Sequence, residues 1–159
     1  RRQAYFRDEF LSALEILHRG DVTPDHLQMG FNRKIFSDLK DKVTRYDWGK
    51  EVAPGITSVD AKGHTPGHSA FVIASGNSRV MFQGDVTNVP ELFLRNPEWE
   101  VMFDNEAATA VATRKRIYDM AAAEKMPISG YHFPFPSVGH VEKDGAGYRL
   151  VPIAWNPVL

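Results

Sequence analysis

The sequence predicts an α/β protein built as a mixed sheet with flanking helices. Three observations predict it. Apolar residues in roughly the first fifty positions recur at helical spacing. From Ile56 onward the chain breaks into short apolar runs punctuated by Gly and Pro. One long Ala-rich stretch, 105–125, divides those runs into two groups. The resulting order is helix, helix, three strands, helix, two strands, which suits a sheet layered with helices.

Each element has its own local reason. Residues 1–19 read as a helix, because Phe6, Phe10, Leu14 and Leu17 share a face and Gly20 stops it. Residues 21–30, with Pro24, read as a turn or a short helix entry. Residues 31–46 read as a second helix, with Ile35, Phe36, Leu39 and Val43 on one side. Pro54-Gly55 marks a turn, and 56–60 a short strand. Residues 69–74 and 79–83 form a hairpin around Ser75-Gly76-Asn77-Ser78, and strands so apolar are expected to be buried on both faces. Residues 84–99 read as a loop with Pro90 and Pro97. Residues 105–125 are the strongest helix, with Val111, Ile117 and Met120 among its apolar positions. A short strand follows at 127–131. Residues 132–136 are irregular, because Pro134 and Pro136 push their predecessors into extended backbone. A last strand is expected at 148–153, entered through Gly145 and Gly147.

Composition narrows the function. The 159 residues are 43% apolar and 25% charged, ordinary for a globular domain and enough for a real core. With 19 basic against 20 acidic residues, there is no electrostatic footprint for nucleic acid or an anionic membrane. The absence of cysteine excludes disulfides, Cys-zinc sites and thiol nucleophiles, and leaves the compartment open between cytoplasm and periplasm. No apolar run approaches the ~18 residues of a membrane span, and nothing at the start reads as a signal peptide. Residue 1 is Arg, as in a processed, trimmed or partial chain.

Chemistry concentrates where Gly and Pro stiffen the turns. Gly63-His64-Thr65-Pro66-Gly67-His68 joins two strands, and its glycines and proline aim an imidazole in a set direction. Such an orientation suits a metal ligand better than a simple turn cap. Gln83-Gly84-Asp85 puts a carboxylate at the end of an apolar strand, which is costly unless paired or metal-bound. Taken alone, Asp85 reads equally as a ligand or as the start of a turn. Tyr131-His132-Phe133-Pro134-Phe135-Pro136 again sets a His directly after a strand. Its Phe133 and Phe135 read equally as core packing or as walls of a substrate pocket. His64, Asp85 and His132 together are a zinc-type donor set, and a carboxylate can bridge two ions.

These motifs, in this order, resemble the C-terminal half of the metallo-β-lactamase-fold hydrolases over about residues 52–157. The ligand candidates are spaced 21 and 47 residues apart, which also fits. The segment 131–140 and the Gly147-to-Ile153 ending look most like the branch of methyl parathion hydrolase and related lactonase-like enzymes. The resemblance implies half of an αββα sandwich, with 1–50 a helical insertion and 51–159 supplying sheet, helix and ligand loops. It implies that His64 ligates one metal, that His132 ligates a second, and that Asp85 bridges both and positions the nucleophile. His68 would support the loop, and His140 would be structural. Two zinc ions are implied, with Fe, Mn or Co also suited to such donors.

The implied activity is hydrolysis, a metal-bound hydroxide attacking an ester, lactone or phosphotriester in a small-molecule substrate. The family's first metal motif, H-x-H-x-D-H, does not occur, and residues 1–50 hold only His18 and His26. The chain therefore reads as incomplete and inactive alone, its N-terminal half absent or supplied by a second chain. An uncovered sheet face would favour that partner or a homodimer. The alternative reading is a non-catalytic fragment or subunit that associates with a partner chain.

Overall fold

The computed structural model describes residues 44–155. The chain divides into two compact units, 1–45 and 46–159, and all the described elements belong to the second. The two helices expected before residue 46, with His18 and His26, lie outside the described residues, save that 44–46 are irregular.

The second unit is one seven-stranded sheet in sequential order: β1 (Glu51–Ala53), β2 (Ile56–Asp60), β3 (Ser69–Ser75), β4 (Ser78–Phe82), β5 (Ile128–Ser129), β6 (Val138–Asp144) and β7 (Gly147–Pro152). All neighbours are antiparallel except β4 and β5, which are parallel. Parallel neighbours need a crossover. Here it carries α1 (Pro90–Phe93) and α2 (Ala107–Glu124). The expected mixed sheet with flanking helices is thus present. The strand at 56–60, the hairpin and the long helix fall where the sequence placed them.

α2 lies on one face of the sheet. Its buried residues, Ala110, Thr113, Arg114, Ile117, Tyr118 and Ala121, recur every three or four positions. Of these, Ile117, Tyr118 and Ala121 pack with Ala70, Met81, Ile128, Val141 and Tyr148 in one core. The helix ends at Lys125 in left-handed backbone (φ 49), whose N–H bonds Ala121 O and Ala122 O.

Four expectations need correction. First, the hairpin is not buried on both faces. Ala70 and Met81 are closed off by the core, but the register puts Ile56, Phe71, Ile73, Val80 and Phe82 on the opposite face, where none is buried among the described residues. An apolar run reports that both faces favour burial, not that the described residues cover each. Second, the loop at 84–99 contains α1, with Pro90 in its first turn, where a missing N–H costs nothing. Third, β1 and β6 were not expected. β1 is three exposed residues paired across a bulge. β6 is polar and contains Gly139, and six cross-strand pairs with β7 make it a strand despite its composition. Fourth, β5 is only two residues long, and His140 sits inside β6.

The directions of the strands set the site. β2, β4 and β5 run the same way, so their C-terminal ends share one edge. The loops leaving them carry His64, Asp85 and His132.

Candidate metal centre

The first loop is clamped to the start of α2. Thr113 donates to Lys62 O (2.7 Å), Glu106 N–H to Gly63 O (3.0 Å) and Asn105 N–H to His64 O (3.1 Å). Gly63 adopts φ +128, and a Cβ there would lie 2.3 Å from Ala110 N. Only glycine tolerates both the conformation and the approach.

That clamp orients His64. Its Nδ1 lies 3.0 Å from Asp104 Oδ1, a side chain only 3% exposed. A carboxylate only accepts, so Nδ1 carries the proton and the Nε2 lone pair is left free. Nε2 faces Asp85 Oδ2 at 3.9 Å. From the third loop, His132 Nε2 donates to the other oxygen, Asp85 Oδ1, at 3.0 Å. One carboxylate therefore stands between two imidazoles, one on each oxygen. Asp85 is 28% exposed and His132 47%, so water reaches the cluster.

His68 does a different job. Its Nδ1 donates to Ala61 O at 3.0 Å, and its Nε2 accepts the Asp85 N–H at 3.1 Å. Both ring nitrogens are engaged, so His68 holds the backbone of Asp85 and leaves no lone pair for a metal.

The donor set fits divalent metal. Each oxygen of Asp85 with its facing imidazole would offer two ligands, a half-site, and the proton on His132 Nε2 is the one a metal would replace. Zinc takes four ligands. Among the described residues no group of three or more His, Asp or Glu is placed to hold an ion, so each half-site needs further donors.

The other residues singled out lie as follows. Phe133 is buried in the core at 6% exposure. Phe135 is 72% exposed, its ring 4.9 Å from that of Trp155. His140 borders a groove of about 740 Å³ beside α2, remote from the cluster in its lining residues.

Two residues escaped sequence reasoning. Asp104 carries no local signal, because its partner His64 is 40 residues away. Arg114 could have been found, since it falls on the apolar face of α2 between Ala110 and Ile117, where a charge demands a partner. It is 1% exposed and pairs with Asp104 Oδ2 at 3.5 Å.

The fold places the chain among the hydrolases of the metallo-β-lactamase superfamily, of whose fold it forms part. The structure is similar to AidC, a dizinc quorum-quenching lactonase, at 25% identity and TM-score 0.76, over 84% of this chain and 46% of that one. It is similar to AbOPH, a hydrolase in the beta-lactamase superfamily, at 26% identity and TM-score 0.71, over 78% and 43%. A probable metal-dependent hydrolase from Staphylococcus aureus shares the fold at 21% identity and TM-score 0.58, over 74% and 43%. The chain thus spans under half the length of each. No protein-family model and no curated protein matches it. Among the described residues no helix is long and apolar enough to cross a membrane.

Proposed function

We propose that the chain supplies half of the metal centre of a dinuclear hydrolase, most simply a dizinc lactonase. One observation carries this: the two oxygens of Asp85 face His64 Nε2 at 3.9 Å and His132 Nε2 at 3.0 Å. The similarity to AidC supports a lactone over other substrates with a hydrolysable ester or phosphotriester. Two divalent ions bound there would supply an activated water and a Lewis acid for the carbonyl oxygen. The chain's own residues do the rest. His64, Asp85 and His132 would hold the ions, and Asp85 would also orient the attacking water and can receive its proton. His68 keeps the Asp85 backbone in place. Phe135, exposed three residues after His132 in the chain, would offer apolar surface to a substrate chain.

The remaining donors come from polypeptide outside the described residues, either the N-terminal part of the same protein or a second chain. The half-exposed sheet face of Ile56, Phe71, Ile73, Val80 and Phe82 supports such a partner, because covering it removes apolar surface from water. The second reading, a non-catalytic subunit, draws on the same two-ligand half-sites.

Native mass spectrometry of the natural polypeptide, with metal analysis and turnover of N-hexanoyl-homoserine lactone, tests both. About two ions per complex, with turnover lost on His132→Ala, supports the hydrolase. A metal-free species with no turnover supports the subunit. Unchanged metal content in His132→Ala overturns the ligand assignment.

A further inference from the structure

We infer that Arg114 and Asp104 form a positioning pair that sets metal affinity on the His64 side of the site and not on the His132 side. The inference rests on the metal-centre reading above.

Arg114 spends its donors on two different loops. Nε donates to Val86 O at 3.0 Å, directly after Asp85. Nη1 donates to Pro97 O at 3.1 Å and Trp99 O at 2.6 Å. Nη2 reaches Asp104 Oδ2 at 3.5 Å, and the guanidinium lies 4.9 Å from the Phe93 ring centre. The remaining oxygen of Asp104 receives His64 Nδ1–H at 3.0 Å.

One buried cation therefore ties the backbone beside Asp85 to the carboxylate that orients His64. The 3.9 Å between His64 Nε2 and Asp85 Oδ2 is held from behind by this link. A planar fork can do this and a lysine cannot, because the contacts lie in different directions around one plane. Carboxylate–histidine contacts of this kind fix the tautomer and raise the basicity of the free nitrogen.

Among the described residues, neither Arg114 nor Asp104 bonds to His132 or to the Asp85 carboxylate, and the Asp85 N–H is held separately by His68. The backbone of the His132 loop is held by its own bonds, Phe133 N–H to Gly130 O (3.3 Å) and Ser137 N–H to Pro134 O (2.7 Å). Weakening the pair should therefore be felt at one ion only, whereas a general loosening of the fold would be felt at both.

The test is titration of the metal-free natural polypeptide with Co(II), read by its visible spectrum, and with Zn(II) against a chelator. Asp104→Asn, Arg114→Lys and His64→Ala are compared with the unaltered protein. Asp104→Asn keeps the shape and loses the charge. It should weaken one of two binding events about 10-fold, and Arg114→Lys should weaken the same event by roughly 10–100-fold. The other event should stay within about twofold, while apo Asp104→Asn, which leaves the Arg114 guanidinium without its counter-charge, should stay folded but melt lower. Equal weakening of both events, or collapse of the fold in both variants, would overturn the pairing as a metal-positioning device. If His64→Ala removes one event and neither partner variant alters it, this inference fails and the metal-centre reading stands. If His64→Ala alters neither event, the metal-centre reading itself fails.

Discussion

The Nε2 atom of His68 lies 3.1 Å from the backbone nitrogen of Asp85 and accepts its hydrogen. The Gly84 backbone comes so close that a Cβ there would sit 2.7 Å from the same Nε2. His68 is thus a strut under the Asp85 carboxylate. His68→Ala should leave the Asp85 N–H without its partner, costing about 1–3 kcal/mol. It should also weaken metal binding about 10-fold without abolishing it. Thermal unfolding and a zinc titration of the same preparation check both effects.

In the proposed centre Asp85 is the donor common to both half-sites. Asp85→Asn should therefore weaken both binding events, each beyond the roughly 10–100-fold cost of losing a supporting residue. Metal analysis after dialysis should show occupancy falling at both positions together. Loss of a single ion would assign Asp85 to one side only.

Gly63 and Gly67 flank the same ligand loop but face different surroundings. A Cβ on Gly63 would meet Ala110 N at 2.3 Å, at φ +128, whereas one on Gly67 would meet nothing within 4 Å. Gly63→Ala should destabilise by more than the ~1–3 kcal/mol of backbone strain alone, since Ala110 must also move. Gly67→Ala should change the melting temperature little. Comparing the two by thermal unfolding isolates the clamp between the loop and α2.

Tyr148 links β7 to α2. Its hydroxyl donates to Asp119 Oδ1 at 2.7 Å, while Lys143 grips the same oxygen at 2.8 Å. Burial, and then the bond to Asp119, push its pKa up to about 12. The folded state needs the neutral phenol. Its contribution is therefore complete below pH ~10, the ordinary tyrosine value, and is lost as pH rises towards about 12. Tyr118, more deeply buried, is shifted in the same direction. Tyr148→Phe should cost about 0.5–1.5 kcal/mol at neutral pH. It should also make the fall in stability above pH ~10 less steep. Denaturant melts across that range measure the slope.

The features legible in the chain were those carried by near neighbours. Pro54-Gly55 and Ser75-Gly76-Asn77-Ser78 marked turns, and the runs between them became β2, β3 and β4. Gly63-to-His68, Gly84-Asp85 and Tyr131-His132 announced rigid loops bearing donors, and all three loops open on one edge of the sheet. β6 was hidden, because its seven residues become a strand only by pairing with β7. The one-sided burial of the hairpin is likewise a tertiary property, since only the face of Ala70 and Met81 joins the core with α2.

Residue identity and backbone punctuation are short-range, and they decided which side chains could do chemistry: His64, Asp85 and His132 on stiff turns. Which nitrogen of each imidazole is free was decided by packing. His64 and His68 belong to one hexapeptide, yet Asp104 leaves His64 with an open Nε2, and Ala61 with Asp85 uses up both nitrogens of His68. Those partners lie 40, 7 and 17 residues away in sequence, so only the folded chain brings them into hydrogen-bond range.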